Sequence, residues 1–276
     1  KATLKNIIKI LKETYASSIG VEFLHIQSPD QKQWVQERIE EVRNKTQFTT
    51  EGKKAIFGRL VESELFEQFL DKKFLGTKRY GIEGGAFLFI SVGRNHPKKN
   101  YKQLIRASAL LSKQTDREFR VLIIGRGTSK LSGEVSRVGL EKIILLQEEI
   151  GSVQSFGNIP QLPSNELIEL YLAADAFVFP SLLETFGIAI VEAMAANLPV
   201  IVGDAPGCRD VVRHGEDGVV IPSQDSQKWA MEMQSFVENT DRRQTFSRKS
   251  ALRARAFSWD SIVDDYINLY QCSWNN

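Results

Sequence analysis

Residues 182 to 202 read LLETFGIAIVEAMAANLPVIV, an apolar run interrupted by two carboxylates, Glu184 and Glu192, eight positions apart. Acids set into a core-like stretch need partners. A helix beginning near Gly187 exposes unpaired N–H groups and partial positive charge at its start, which suits a phosphate. Thr185, Phe186 and Gly187 can offer those N–H groups, and the glycine lets a ligand approach the backbone closely. Glu184 then stands beside whatever the phosphate carries. Glu192 lies roughly 8 Å further along the helix axis, where it can accept hydrogen bonds from ribose hydroxyls. The alternative is a helix cap and a surface residue. Ile188, Ile190, Val191, Ala193, Met194 and Ala195 leave almost no polar face, and this favours a buried helix with a partnered glutamate.

Two other loops carry chemistry. In SVGRNHPKKN, residues 91 to 100, an apolar run ends at Gly93 and a helix starts near Tyr101. Arg94, Lys98 and Lys99 lie between them, and two cations held at a strand end could grip a diphosphate, an arginine as a planar fork and a lysine as a point charge. A solvated basic loop is the competing reading, and His96 reads as a turn residue. In IIGRGTSK, residues 123 to 130, Gly125-x-Gly127 resembles half of a dinucleotide fingerprint. It serves either nucleotide contact or a tight turn at positive φ. The three histidines lie far apart without metal-ligand spacing, and two cysteines, Cys208 and Cys272, supply neither a zinc site nor a disulfide framework. No metal is expected.

These loops need a scaffold. FLFISVG, RVLIIG, AFVFPS and LPVIVGD are short apolar runs that stop at Gly, Ser or Pro, with helical patterns such as YKQLIRASALLSKQ and NELIELYLAAD between them. That alternation predicts βαβ units in a Rossmann-like parallel sheet with flanking helices, whose ligands sit at the carboxyl ends of the strands. Residues 1–86 differ. LKNIIKILKETY and SPDQKQWVQERIEEVRN carry apolar residues at helical spacing, and Gly84-Gly85 marks a turn or linker before the first strand. The expectation is a mainly helical segment over 1–86 and an α/β domain over 87–276. The chain has 276 residues, is 42% hydrophobic and has a formal net charge of +2, which gives no electrostatic case for nucleic acid. No run approaches the roughly 18 apolar residues of a membrane span, and residues 1–26 lack a signal peptide's apolar core. The chain starts at Lys1, as a fragment would.

Taken together, ETFGIAIVE preceded by FPS, GRNHPKKN, GNIP, LPVIVGDAPGCRDVV and HGEDGVVIP resemble the donor-binding half of a retaining glycosyltransferase with two facing Rossmann-like domains, most like glycosyltransferase family 4. The likeness runs from about 87 to 272. It implies that Glu184 contacts the donor sugar and Glu192 the ribose. It also implies that Arg94 and Lys99 hold the departing diphosphate, with Glu184, Arg94 and Lys99 as the catalytic set. Gly93, Gly125, Thr185, Phe186 and Gly187 would line the nucleotide sugar, and Ile159 in GNIP the base. Asp210 stands where the family often has glutamate. Residues 3–85 instead resemble the thiamine-dependent first component of 2-oxoglutarate dehydrogenase, through ETYASSIGVEFLHIQSPDQKQWVQERIE and FLDKKFLGTKRYGIEGG. The similarity stops before that family's HRGR segment, and no GDG…N thiamine diphosphate motif follows. The chain therefore reads as a chimera joined near Ala86-Phe87.

The resemblance implies a hexosyl transfer from a nucleoside-diphosphate sugar, with no cofactor required and no nucleic acid partner. The acceptor is unassigned; lipid-linked glycans are common in the resembled family, and peripheral membrane contact at the inner face would follow from them. A cytoplasmic location agrees with the low cysteine count. Two other readings stand beside it: a non-catalytic nucleotide-sugar binding module, and an inactive 2-oxoglutarate dehydrogenase fragment.

Overall fold

The computed structural model describes residues 85–150, 163–258 and 261. The GNIP segment, Cys272 and the helical patterns read in residues 1–84 lie outside the described residues. The described elements up to Ala254 belong to one compact unit, whereas Arg255–Phe257, a short 3-10 turn, belongs to another.

The centre of that unit is a six-stranded sheet, every pair parallel. Strand β1 (Phe87–Val92) lies in the middle. The chain then moves outward through α1 (Tyr101–Leu111), β2 (Phe119–Ile124), α2 (Ser132–Arg137) and β3 (Ile144–Gln147). It returns through α3 (Asn165–Ala173) to β4 (Ala176–Phe179) on the other side of β1. It continues through α4 (Ile188–Ala195), β5 (Val200–Gly203), α5 (Pro206–Val211) and β6 (Val219–Ile221). Helices α6 (Ser226–Glu238) and α7 (Thr240–Ala254) finish it. The order β3-β2-β1-β4-β5-β6 reverses direction between β1 and β4. In open parallel sheets such a reversal, at the carboxyl ends of the two neighbouring strands, is where ligands commonly bind.

The strands are apolar on both faces because both are covered. Phe87, Phe89, Val121, Ile123, Val178 and Ile201 pack with Leu104, Ile105 and Leu111 of α1 and Trp229, Met233 and Phe236 of α6. The alternate residues of β4 face the other way. Phe177 lies 6.1 Å, ring to ring, from Tyr171 on α3 and stacks on Phe179 at 5.6 Å. Each such fully buried aromatic or branched side chain contributes roughly 1.5–3 kcal/mol. Four strands coincide with the apolar runs read from the sequence; β3 and β6, of four and three residues, are additional. Among the described residues no helix is long and apolar enough to cross a membrane.

Candidate functional site

The loop after β1 is held in place locally. Gly93 N–H donates to the Ile124 carbonyl, and the Tyr101 hydroxyl donates to the Gly93 carbonyl at 2.8 Å. Burial pushes the Tyr101 hydroxyl well above its ordinary value, so it stays protonated as a donor. His96 caps the 3-10 turn Pro97–Lys99, its Nδ1 accepting from the Lys98 N–H at 3.2 Å, in keeping with a turn role. Gly125 explains how β1 and β2 release their loops so close together. It sits at φ 146°, and a Cβ there would overlap the Gly93 carbonyl. That supports the tight-turn reading of Gly125-x-Gly127. In the same turn the Glu148 carboxylate accepts from the Gly127 N–H at 2.7 Å and the Ser129 N–H at 3.0 Å. The hydrogen bond with Ser129, followed by those backbone N–H groups, holds its carboxyl below the usual range.

The loop after β4 meets the loop after β1. The Leu182 N–H donates to the Lys98 carbonyl at 2.7 Å. Lys99 Nζ lies 2.6 Å from Glu184 Oε1, with 19% and 12% of the two side chains exposed. The ammonium also stands 4.6 Å from the centre of the Phe179 ring, a cation–π contact made by the last residue of β4. Ser181 Oγ approaches Glu184 Oε1 at 2.6 Å and two backbone carbonyls more distantly; its single proton is best used on the carboxylate. Gly207, in α5, lets the two backbones touch: a Cβ there would overlap the Glu184 carbonyl.

Glu192 is held differently. It projects from α4, half-buried, and its Oε2 accepts from the Tyr171 hydroxyl at 3.0 Å. Burial pushes its carboxyl up to about 7, and the bond from Tyr171 opposes this only in part. Tyr171 is 2% exposed and its hydroxyl is pushed well above its ordinary value by the same burial. The Cys208 thiol nearby, on α5, is buried and pushed up to about 12, which leaves it an inert thiol.

The sequence-derived residues separate accordingly. Lys99 and Glu184 are brought together. Gly93, Thr185, Phe186, Gly187 and Glu192 line the same carboxyl-end region, with Gly187 at φ 72° directly ahead of α4. Arg94 is exposed at the mouth of the β1 loop. Ile159 lies outside the described residues. Ile188 departs from the expectation of an all-buried helix: at 66% exposed it stands at the open end of α4, beside exposed Leu182 and Leu183. Tyr171, Ser181 and Gly207 were missed. No spacing rule pairs position 171 with 192 or 207 with 184, because those contacts cross from one βα unit to the next.

A six-stranded parallel sheet with flanking helices, carrying two acids and a lysine near its switch point, defines a Rossmann-like domain. Residues 76–253 match the family of glycosyl transferases group 1, and the chain belongs to it. Similar solved structures include HepE of Anabaena in complex with UDP and glucose, 21% identical with a TM-score of 0.60 over 73% of this chain and 52% of that one. A glycosyltransferase from Rickettsia africae is 17% identical, TM-score 0.61, over 75% and 52% of the two chains. The sucrose-phosphate synthase of Thermosynechococcus elongatus is 23% identical, TM-score 0.58, over 72% and 48%. At these identities the likeness is one of fold. A stretch of 87 residues is 55% identical to the 2-oxoglutarate dehydrogenase E1 component of Brucella anthropi, which is 32% of this chain and 9% of that protein. The chain thus combines a glycosyl transferases group 1 match with a stretch similar to part of a 2-oxoglutarate dehydrogenase E1 component, and it spans about half of its structural relatives and about a tenth of its curated ones.

Proposed function

We propose that residues 87–276 form the donor-binding domain of a retaining glycosyltransferase that takes a hexose from a nucleoside-diphosphate sugar, and that residues 1–86 are a separate segment. The observation that carries this is the Lys99–Glu184 ion pair at the β1/β4 switch point. It sets a cation for phosphate and an acid for sugar hydroxyls within one hydrogen bond of each other. In this reading Glu184 contacts the sugar and Glu192 the ribose. Arg94 and Lys99 hold the diphosphate, with the N–H groups of Thr185, Phe186 and Gly187 and the backbone at Gly93 and Gly125 beside them. Ile159 lines the base. As the glycosidic bond breaks, negative charge grows on the leaving phosphate oxygen. Two cations and the start of α4, preorganised around it, stabilise that charge without a metal.

The acceptor is unassigned, with lipid-linked glycans the first class to test. A second reading is a binding module that holds the nucleotide sugar without transferring it. Calorimetric titration of the full chain with UDP and GDP tests the donor assignment: one of them binds, and Arg94→Ala and Glu192→Ala each weaken that binding at least tenfold. Failure of both nucleotides to bind overturns it. Binding without sugar transfer to any glycan acceptor selects the module.

A further inference from the structure

Tyr171 is a buried phenol whose hydroxyl has one partner worth having. It is carried by α3, packed on Phe177 of β4, and its only hydrogen bond among the described residues goes to Glu192 on α4. The bond therefore crosses between two helices. It also occupies one carboxylate oxygen, Oε2; no described residue donates to Oε1. A free glutamate side chain samples several rotamers, and ordering one carries an entropic cost. Here that ordering is made before a ligand arrives, which is how preorganisation raises affinity.

The pair is a poor stabiliser of the fold. Burial makes the Glu192 carboxylate costly to ionise, and a phenol offsets that far less than a cation would. Glu184, eight residues earlier, has such a cation in Lys99. A half-buried acid that among the described residues has a neutral donor at one oxygen is arranged to present the other.

Resting on the proposed donor assignment, we propose that Tyr171 is a positioning residue for ribose recognition: its hydroxyl fixes Glu192 through Oε2 so that Oε1 faces the ribose hydroxyls. Tyr171 touches no reacting atom. Its removal should weaken only the part of binding that depends on those hydroxyls.

The test is a cycle on the full chain. Wild type, Tyr171→Phe and Glu192→Gln are titrated with UDP and GDP and with their 2′,3′-dideoxy analogues. Phenylalanine keeps the ring packing against Phe177. The expected result is that the wild type prefers the ribose form roughly 10-fold or more, a preference of the size of one or two hydrogen bonds. Tyr171→Phe should reduce that preference to about 3-fold or less while binding the dideoxy form as the wild type does. Each preference is a ratio within one protein, so a general loss of stability does not imitate the effect. Equal weakening of ribose and dideoxy forms in Tyr171→Phe overturns the proposal and leaves a packing role. An unchanged preference in Tyr171→Phe, with Glu192→Gln losing it, overturns the proposal while the donor assignment stands. A wild type that binds no nucleotide removes the donor assignment and this inference with it.

Discussion

Glu184 and Glu192 share one short segment, yet the molecule treats them in opposite ways. Glu184 leaves the end of β4 in a loop and is tied by a cation at 2.6 Å, a serine hydroxyl at 2.6 Å and a backbone packed against Gly207. Glu192 rides on a helix and is tied by one phenol at 3.0 Å. Between them runs a row of aromatic rings on one face of β4. Tyr171 meets Phe177, Phe177 stacks on Phe179, and Lys99 lies over Phe179. The two ends are thus built on one rigid strand but with different electrostatics. The loop end sets its acid directly against a cation. The helix end holds an acid that burial pushes toward neutrality. What this contrast teaches is that an ion pair can keep a loop in place, whereas a carboxyl kept costly and half-open is suited to a ligand's hydroxyls.

The largest expected effect breaks the loop end alone. Gly207→Ala drives a Cβ into the Glu184 carbonyl, backbone atoms that cannot swing aside. Overpacking of this kind costs about 2–3 kcal/mol. A thermal melt should show it, and binding of a nucleotide sugar should fall more than that of the bare nucleotide. Next comes Lys99→Ala, which removes the cation from Glu184 and from the proposed diphosphate grip. Loss of a charge-assisted contact of about 1.5–3 kcal/mol corresponds to roughly 10- to 100-fold weaker UDP or GDP binding by calorimetry. A smaller and sharper comparison sets Glu184→Ala against Glu192→Ala. The first should weaken a nucleotide sugar while changing the bare nucleotide less than about 3-fold. The second should weaken both about equally, by roughly 10-fold. If the two variants respond alike to the presence of the sugar, the division of labour between the acids is wrong.

Much of this contrast was legible in the sequence, and the limits have physical causes. The strand–loop–helix order around Glu184 and Glu192 follows from apolar runs broken by Pro180 and Gly187. Lys99 and Glu184 were expected near one ligand because both fall at strand ends, where a parallel sheet gathers its loops, but their direct ion pair was not read. The strands β3 and β6 were not read, since runs of three or four apolar residues are also what helix turns look like. Tyr171 sat in NELIELYLAAD as one more apolar helix position. Its hydroxyl became informative only when α3 and α4 were seen to share a face of β4. Likewise the exposed Ile188 looked like core by type, because residue type does not say which end of a helix opens to solvent.

The smallest predicted effect isolates the helix end through pH. Burial raises the Glu192 carboxyl from its ordinary 4.5 to about 7 in the folded chain. Between those values the folded state holds a proton at this site that the unfolded state has released. Stability therefore falls as pH rises through that window, is fully retained below it, and levels off above it. Glutamine at position 192 keeps an oxygen for the Tyr171 hydroxyl but carries no charge. Glu192→Gln should then match the wild type below about pH 4.5 and exceed it above about pH 7, by on the order of 1 kcal/mol once solvent screening of this half-buried group is allowed for. Melting temperatures of the two proteins across that range measure it, since every other titrating group cancels in the difference. The equivalent substitution at the loop end should do the reverse. Glu184→Gln deprives Lys99 of its counter-ion and should destabilise at neutral pH. Parallel pH profiles for the two variants would mean that the carboxyls sit in equivalent environments. A loss from one variant and a gain from the other would mean that the two acids sit in opposite environments, Glu184 against a cation and Glu192 against a phenol.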